Sequence, residues 1–400
     1  MGRCNDGPIA VGAIVPRGRR IHRLRAKTAT AATETRVNEH SPLEAEIRRR
    51  IVAGGPMPVS EYMALCLSDP TYGYYTAHDP FGARGDFITA PEVSQMFGEL
   101  IGLWMAAVWK QMGAPENVRL IELGPGRGTL MKDALRAVQV APDFRAAVVV
   151  HLVEVSPVLQ AQQEKALEGT GVPVFWHPLL GDVPNGPSII FANEFFDALP
   201  VNQAIKTERG WHERRIQVDP SGQLGFTIAP EPIPFFQTLL PPALRAPRVG
   251  AIFEWRADTP AMELGRRISD DRGVALVIDY GHTETGLGET LQAVGQHAYA
   301  DPLTFPGSLD LTAHVDFQAL ARAMEAMGAV GFGPIAQSQF LRSLGIEHRA
   351  ATLKAKTARA AEIDQALARL VGHNRNAMGE LFKVVAFAHR AIGVPPGFAA

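Results

Sequence analysis

The first candidate site for chemistry is a glycine-rich turn that follows a short apolar strand containing one acid. Residues 118–129 begin with an apolar run that contains Glu122, break at Gly124, Gly126 and Gly128, and continue with apolar residues at helical spacing. The order is therefore strand, turn and helix. Such a turn lies at the carboxyl edge of an open α/β sheet, where ligands bind. Because glycines let the backbone approach a ligand and the helix start offers free N–H groups, we expect a ligand site here.

The spacing of the glycines indicates which nucleotide-type ligand the turn would bind. A dinucleotide-binding turn has glycine at its sixth position, which is Thr129 when counted from Gly124, and a phosphate-binding loop needs a Gly-Lys pair that is absent. The remaining pattern, an acid followed by three alternate glycines, resembles the first motif of class I S-adenosylmethionine (SAM) methyltransferases. This resemblance makes Glu122, the three glycines and Thr129 candidate cofactor ligands. An ordinary tight turn is the alternative.

Acidic side chains also follow the next two predicted strands. Glu154 ends the apolar run 147–155, and an acid at this place commonly bonds ribose hydroxyls in nucleotide-binding folds. Its distance from the glycine turn predicts a longer helix than usual between them. Asp182 lies in the loop after the third strand, where SAM folds often have an acid near the adenine amino group; a plain turn aspartate is the alternative.

The densest polar group follows the fourth predicted strand, 187–192. Asn193, Glu194 and Asp197 come directly after it, with two phenylalanines among them. Because the carboxyl ends of these strands meet at one edge of the sheet, we predict that the three side chains face the glycine turn. Asn193 is then a candidate cofactor ligand, and the two acids are candidates for the reaction itself. Solvated loop charges are the alternative.

A glycine-rich segment ahead of the amphipathic helix 94–112 has the composition of a lid. We predict that residues 84–95 close over cofactor or substrate and that Phe87 and Thr89 contact the cofactor. The alternative is a plain connecting loop.

The alternation of strands and helices over residues 119–388 predicts a doubly wound α/β sheet of seven strands. Two segments interrupt it as insertions: 201–260 is β-rich, and 282–315 is glycine-rich and irregular. Helices over 41–118 predict an N-terminal cap that contains the lid. Residues 1–40 are rich in arginine and poor in acids, which predicts a disordered tail. An organelle transit peptide and an over-extended start of a bacterial reading frame are the alternatives.

Charge and cysteine content exclude several classes of protein. The formal net charge of −2 over 400 residues gives no general attraction to nucleic acid or to an anionic membrane. The two cysteines, Cys4 and Cys66, cannot form a thiolate metal site by themselves, and we predict no metal. No apolar run is long enough to span a membrane.

Six stretches together resemble the MidA-type SAM-dependent methyltransferases. In the order of that family they are 68–75, 85–92, 122–128, 193–200, 279–281 and 310–317. The resemblance implies a class I methyltransferase sheet with a reversed last strand, and SAM as the cofactor. It also implies a protein substrate, because the mitochondrial members are complex I assembly factors that methylate an arginine in a core subunit. The compartment would be the mitochondrial matrix in a eukaryote and the cytoplasm in a bacterium.

If the methyl group is transferred to an arginine, the carboxylates of Glu194 and Asp197 would have a role in the reaction. A guanidinium is charged and delocalised, with a pKa above about 12. Carboxylates can bind it through bidentate hydrogen bonds and leave one nitrogen facing the methyl group. We therefore predict Glu194 and Asp197 as catalytic residues and His314 as a candidate proton acceptor. A structural role is the alternative for His314.

Three other functions stay open on the sequence alone. A small-molecule methyltransferase would have a closed pocket rather than an open acidic groove. A dinucleotide-dependent oxidoreductase is disfavoured by Thr129 at the sixth position of the turn. A non-catalytic assembly factor would bind SAM as a structural ligand. The identity of the acceptor, the number of methyl groups and the oligomeric state are also open.

Overall fold

The computed structural model describes residues 40–77, 88–295, 298–374 and 377–398. The predictions for the tail 1–39 and for lid residues 84–87, with Phe87 among them, lie outside these ranges. Within them, every helix is too short or too polar to cross a membrane.

The chain begins with helices that divide between two parts of the molecule. They are α1 (Pro42–Gly54), α2 (Val59–Ser68), α3 (Tyr74–Ala77), α4 (Ala90–Val93) and α5 (Gln95–Gln111), with the short strand β1 (Met57–Pro58) between the first two. Buried residues of α1 and α2, such as Leu43 and Tyr62, pack with Ile216 of the first insertion. Helix α5 instead packs on the sheet through Phe97 and Trp104.

The first half of the sheet alternates strands and helices. Its elements are β2 (Val118–Leu123), α6 (Thr129–Ala137), α7 (Pro142–Ala147), β3 (Val148–Val153), α8 (Pro157–Leu167), β4 (Val174–His177) and β5 (Ser188–Asn193). The neighbouring strands of this half pair in parallel. The prediction of one long helix before β3 is wrong. Two helices lie there, because Pro142 has no N–H and can only start a new helix.

The segment after β5 forms a separate antiparallel sheet. It contains β6 (Val201–Thr207), β7 (Gly210–Val218), β8 (Leu224–Ile228), α9 (Phe236–Leu239) and β9 (Ile252–Arg256). The strand order is β1-β7-β6-β9, and β8 pairs with β7. This sheet carries the side chains that meet the N-terminal helices.

The chain then returns to the main sheet. The elements are α10 (Thr259–Asp271), β10 (Val274–His282), β11 (Gln292–Gly295), β12 (Ala298–Ala300), β13 (Asp310–Thr312), β14 (Val315–Asp316), α11 (Phe317–Glu325), β15 (Val330–Ala336), α12 (Gln337–Ser343), α13 (Ile346–Lys354), α14 (Ala360–Val371) and β16 (Phe382–Ala388). The second insertion is more regular than predicted, since β12, β11 and β13 form a small sheet.

The main sheet has the order β15-β16-β10-β5-β2-β3-β4, with β14 paired to β10. The doubly wound α/β prediction is confirmed, but the described sheet has eight strands because two-residue β14 joins the seven on the main path. The last strand, β16, is antiparallel to β10 and to β15. The strand order reverses between β2 and β5, and this reversal leaves a crevice at the carboxyl edge.

Helices α5 and α6 cover one face of the sheet and approach each other at a glycine. A Cβ added at Gly102 would lie 2.6 Å from the Cα and the carbonyl oxygen of Ala134. Backbone atoms cannot move aside as a flexible side chain can. The contact therefore fixes the position of α6, the helix that follows the glycine turn.

We expect Gly102→Ala to destabilise the protein by about 1–3 kcal/mol through overpacking. The clash outweighs the gain of about 1 kcal/mol that alanine normally brings to a helix. The matched control is Gly54→Ala in α1, where nothing lies within 4 Å of the added Cβ. Urea unfolding midpoints should fall for the first variant and hold or rise for the second; equal midpoints would refute the close contact.

Candidate active site

A cavity of about 430 Å³ occupies the crevice between β2 and β5. Nine of the predicted site residues line it: Thr89, Glu122, Gly124, Gly126, Thr129, Glu154, Asn193, Glu194 and Asp197. Three others, Gly128, Asp182 and His314, do not line it. The carboxyl ends of the strands thus bring together most of the residues that the sequence singled out.

The glycine turn needs its glycines for conformation. Gly124, Gly126 and Gly128 have φ angles of 62°, 54° and 77°, in the left-handed region. A Cβ at Gly128 would also lie 3.3 Å from the Cα of Gln163. Gly128 therefore shapes the turn from behind rather than facing the cavity.

Gln163 of α8 ties the turn to the acid of the second strand. Its Nε2 donates to the Gly126 carbonyl at 2.7 Å and to Glu154 Oε2 at 3.1 Å. Glu154 Oε1 accepts from the Ser156 N–H at 2.8 Å, and burial raises the pKa of Glu154. Gln163 could not be predicted as a site residue from the sequence, because a helical glutamine normally faces solvent.

Glu122 is a buried carboxyl, and no basic side chain of the described residues forms an ion pair with it. It is 4% exposed, and its Oε2 has no hydrogen-bond partner among the described residues. Burial raises the pKa of Glu122 to about 8. A carboxyl left in this state on a cavity wall is suited to a ligand that brings a positive group.

The turn after β5 is held by β10. Glu194 has a φ of 50°, and its N–H donates to the Ile278 carbonyl at 2.9 Å. Asp279 is fully buried, and its Oδ2 accepts from the N–H groups of Phe196 at 3.0 Å and Asp197 at 3.2 Å. Residues 193–197, here called the acidic turn, therefore have a fixed conformation.

The two acids of the acidic turn both face the cavity. Glu194 Oε1 accepts from Asn193 Nδ2 at 3.0 Å and from the Ala90 N–H at 3.3 Å. Burial, helped by the charge of Asp197, raises the pKa of Glu194 to about 7. Burial also raises the pKa of Asp197, against the opposing influence of the Tyr280 hydroxyl and the Arg256 guanidinium. Asp197 Oδ1 has no partner in the described part of the chain.

Further lining residues come from segments that lie far apart in the sequence. The Tyr75 hydroxyl donates to Asp310 Oδ1 at 3.0 Å. Thr312 and Tyr280 line the same region, and the Ala313 N–H donates to the Asp197 carbonyl at 3.1 Å. Sequence reasoning missed these residues as site residues. Tyr280 could have been assigned by the same argument as Asn193, because it directly follows the apolar run 274–279, which predicts a strand.

The described part of the predicted lid contacts both sides of the cavity. The Thr129 hydroxyl donates to Glu92 Oε1 at 2.5 Å. Glu92 belongs to α4, whose first residue, Ala90, donates its N–H to Glu194. Helix α4 thus connects the glycine turn with the acidic turn.

The charge of the cavity wall is strongly one-sided. Its acidic residues are Glu92, Glu122, Glu154, Glu194, Asp197, Glu263 and Asp310, and its one basic residue in the described chain is Arg127. When its acids are ionised, such a wall attracts cations and repels anions.

Two predicted residues have other positions. Asp182 is exposed in a 3₁₀ turn, outside the set of lining residues. His314 lines a neighbouring cavity, and its ring packs edge-on against Tyr280 with 5.5 Å between centroids. The structure therefore separates His314 from the cavity that it was predicted to serve, and we do not retain it as the proton acceptor.

Comparison with known proteins agrees with this geometry. Residues 100–335 match the model of a family described as "Putative S-adenosyl-L-methionine-dependent methyltransferase". The chain belongs to this family. It is 39% identical over 323 residues to "Protein arginine methyltransferase NDUFAF7, mitochondrial" of Danio rerio, covering 75% of this chain and 76% of that protein. The human protein of that name is 37% identical over 362 residues, with 83% and 80% covered.

A solved structure is similar over most of its length. A superfamily member from Burkholderia thailandensis bound to S-adenosyl-homocysteine (SAH) superposes with a TM-score of 0.78 at 30% identity, covering 89% of this chain and 94% of that one. The cofactor of this SAM-dependent methyltransferase is SAM, and the dinucleotide alternative is excluded.

The cavity wall fits this cofactor. SAM supplies an activated methyl group on a sulfonium and also carries an ammonium group. Glu122 and the glycine turn would hold its amino-acid part, and Glu154 its ribose. The unpaired Oε2 of Glu122 is the observation that supports this fit, since a cationic group would compensate its buried charge.

The burial of Glu122 predicts a pH-dependent stability for the enzyme without cofactor. Its pKa rises from 4.5 unfolded to about 8 folded, so the folded state binds the proton more tightly. Stability is therefore lost as pH rises from 4.5 to about 8. Each pH unit in this window removes about 1.4 kcal/mol. The stability of Glu122→Gln should equal that of wild type near pH 4.5. At higher pH the variant should be the more stable of the two, by a difference that grows as the pH rises.

Thermal unfolding at a series of pH values measures this difference. Saturating SAM should reduce it, because the cofactor compensates the wild-type charge. Glu164→Gln, which removes an exposed carboxyl of α8, is the control and should follow wild type throughout. A constant difference between Glu122→Gln and wild type at all pH values would exclude the titration of Glu122 as its cause.

Proposed function

We propose that this enzyme is a protein arginine N-methyltransferase whose acceptor is an arginine of a respiratory complex I core subunit during assembly. The observation that carries the proposal is the acidic turn, which presents Glu194 and Asp197 to the cavity of a SAM-dependent fold. Relatives at 37–39% identity that are named protein arginine methyltransferases support it.

The acidic wall suits a guanidinium on chemical grounds. A guanidinium offers five N–H donors in a plane, and carboxylates accept them in pairs. Asp197 Oδ1 has an unused acceptor site among the described contacts, and Glu194 has one oxygen outside its bonds with Asn193 and Ala90. These two acids would fix the guanidinium plane and orient one nitrogen toward the methyl carbon.

The two acids would also accept the proton that the guanidinium releases when it is methylated. In the reaction a guanidinium nitrogen forms a bond to the methyl carbon, the bond from that carbon to sulfur breaks, and the nitrogen loses a proton. Glu194 is suited to accept this proton, because burial raises its pKa to about 7. The described lining of the cavity has no histidine, which leaves the carboxylates as the proton acceptors in our proposal.

The place of action follows from the proposed substrate. The Danio rerio and human relatives are named mitochondrial. We propose that the enzyme acts where complex I is assembled, which is the mitochondrial matrix in a eukaryote and the cytoplasm in a bacterium.

Glu194→Gln and Asp197→Asn are expected to lower kcat at least a hundredfold while SAM binding changes less than about threefold. Both substitutions keep the shape of the side chain and remove the charge that would orient the guanidinium. The measurement is radiolabelled methyl transfer from SAM to the complex I core subunit, with calorimetric SAM binding alongside. Glu208→Gln, an exposed change in the turn after β6, is the charge-matched control.

Near-wild-type rates in both variants would refute the assigned roles. A wild-type enzyme that binds SAM and transfers methyl groups to free small molecules but to no protein would indicate a small-molecule methyltransferase. SAM binding without transfer to any acceptor would indicate an assembly factor that uses SAM as a structural ligand.

The raised pKa of Glu194 predicts the pH profile of the reaction. Below about pH 7 this carboxyl is protonated and cannot bind a guanidinium as a carboxylate. At saturating SAM, log kcat/KM should therefore fall by about one unit for each pH unit below 7. The inflection in kcat should lie at lower pH, because a bound guanidinium favours the ionised form. A profile that is flat between pH 5.5 and 8 would rule out this role.

A further inference from the structure

A second cavity lies beside the first and is lined mainly by apolar side chains. Its volume is about 220 Å³, and its wall includes Phe236 and Leu240 from the first insertion, Phe253 and Trp255 of β9, and Ala319 of α11. The rings of Phe236 and Trp255 are 5.1 Å apart between centroids. His314, which the cofactor cavity leaves out, lies here. We call this space the apolar pocket.

The apolar pocket shares a wall with the cofactor cavity. Leu199, just past the acidic turn, lines both. The start of α10 separates them in the same way, since Thr259 and Pro260 line the cofactor cavity whereas Asp258 and Ala261 line the pocket. A polypeptide that crosses this wall could therefore place one side chain in each space.

The rim of the pocket has large exposed apolar side chains next to two exposed charged residues that also line it, Asp258 and Arg322. Leu239, which lines the pocket, is 77% exposed, and Phe235, next to lining residue Phe236, is 83% exposed. Large apolar side chains grouped at the mouth of a pocket are typical of protein-binding surfaces. The position of this rim next to the acidic turn is what identifies its partner.

We propose that the apolar pocket binds an apolar side chain of the protein substrate while the arginine of the same substrate occupies the cofactor cavity. This inference rests on the proposed function, because it takes the substrate to be a polypeptide. It makes the pocket the determinant of sequence preference around the methylated arginine. The acidic turn recognises the arginine itself, and the pocket recognises a neighbour along the chain.

The test uses the full-length enzyme saturated with SAH and a set of fluorescent nine-residue peptides. Each has a central arginine in a Gly/Ser background, and one leucine occupies each flanking position in turn. One leucine position should raise the affinity about ten- to a hundredfold over the parent peptide, the effect of burying one leucine side chain. No preferred position, or no binding by any peptide, would overturn the proposal.

Two variants connect the preference to the pocket. Ala319→Phe fills it, and Leu239→Ser removes apolar surface from its exposed rim without a change in the core. Both should abolish the leucine preference and leave the affinity for the parent peptide unchanged. Leu103→Ser is the matched control, since Leu103 is an exposed leucine of α5 outside both cavities, and it should keep the preference. Retention of the preference in both pocket variants would overturn the proposal.

Supplied with SAM in place of SAH, which has no methyl group to transfer, the same peptides separate this proposal from the proposed function. Leucine-dependent binding without methyl transfer would support the pocket and contradict arginine methylation. Transfer to every peptide at one rate would support the methyltransferase activity and contradict the pocket. Sedimentation adds a further outcome: a wild-type dimer that Leu239→Ser converts to a monomer would assign the rim to a second copy of the chain and overturn the proposal.

Discussion

The acidic turn depends on the carboxyl group of one buried residue, Asp279. Asp279 accepts N–H groups of Phe196, Asp197 and Tyr280, so the turn cannot rotate without leaving these donors unsatisfied in the interior. The opposite side of the same region is held by Arg256, which donates to the carbonyls of Asp197, Leu199, Ala313 and His314. Asp279 thus accepts hydrogen bonds from backbone N–H groups, and Arg256 donates hydrogen bonds to backbone carbonyls. The direction of the two cavity-facing acids follows from this pair.

Burial of so many acids in one region disfavours their ionised forms, and cationic ligands would offset this effect. Glu122, Glu194, Asp197 and Asp279 are all acids whose pKa is raised mainly by burial. In the absence of ligand, the site favours their protonated forms. A sulfonium, an ammonium and a guanidinium are the cations that the proposed reaction brings to this place. Binding and ionisation are therefore linked for the three of these acids that line the cavity, Glu122, Glu194 and Asp197, which gain their charge as the reactants assemble.

The site features that could be predicted from the sequence have local signals, and those that could not be predicted have none. The glycine turn and the strand-end acids could be predicted because each follows an apolar run directly. Gln163, Tyr75 and Asp310 could not, because their contacts join segments that only the fold brings together. His314 was misplaced for a definite reason: Asp310 and Thr312 line the cofactor cavity from β13, but that strand ends at Thr312, so the alternation of side chains does not continue to His314.

The strand order also determines when the enzyme can become active during its synthesis. The wall of the cofactor cavity draws on residues from Ser68 to Thr312, so a nascent chain has no complete cofactor site until most of it has left the ribosome. Strand β10, which carries Asp279, pairs on one side with β5 and on the other with β16, close to the end of the chain. Until β16 emerges, the strand that orients the acidic turn has an open edge. Such an edge pairs readily with other chains, so association with other chains is most favoured before β16 is made.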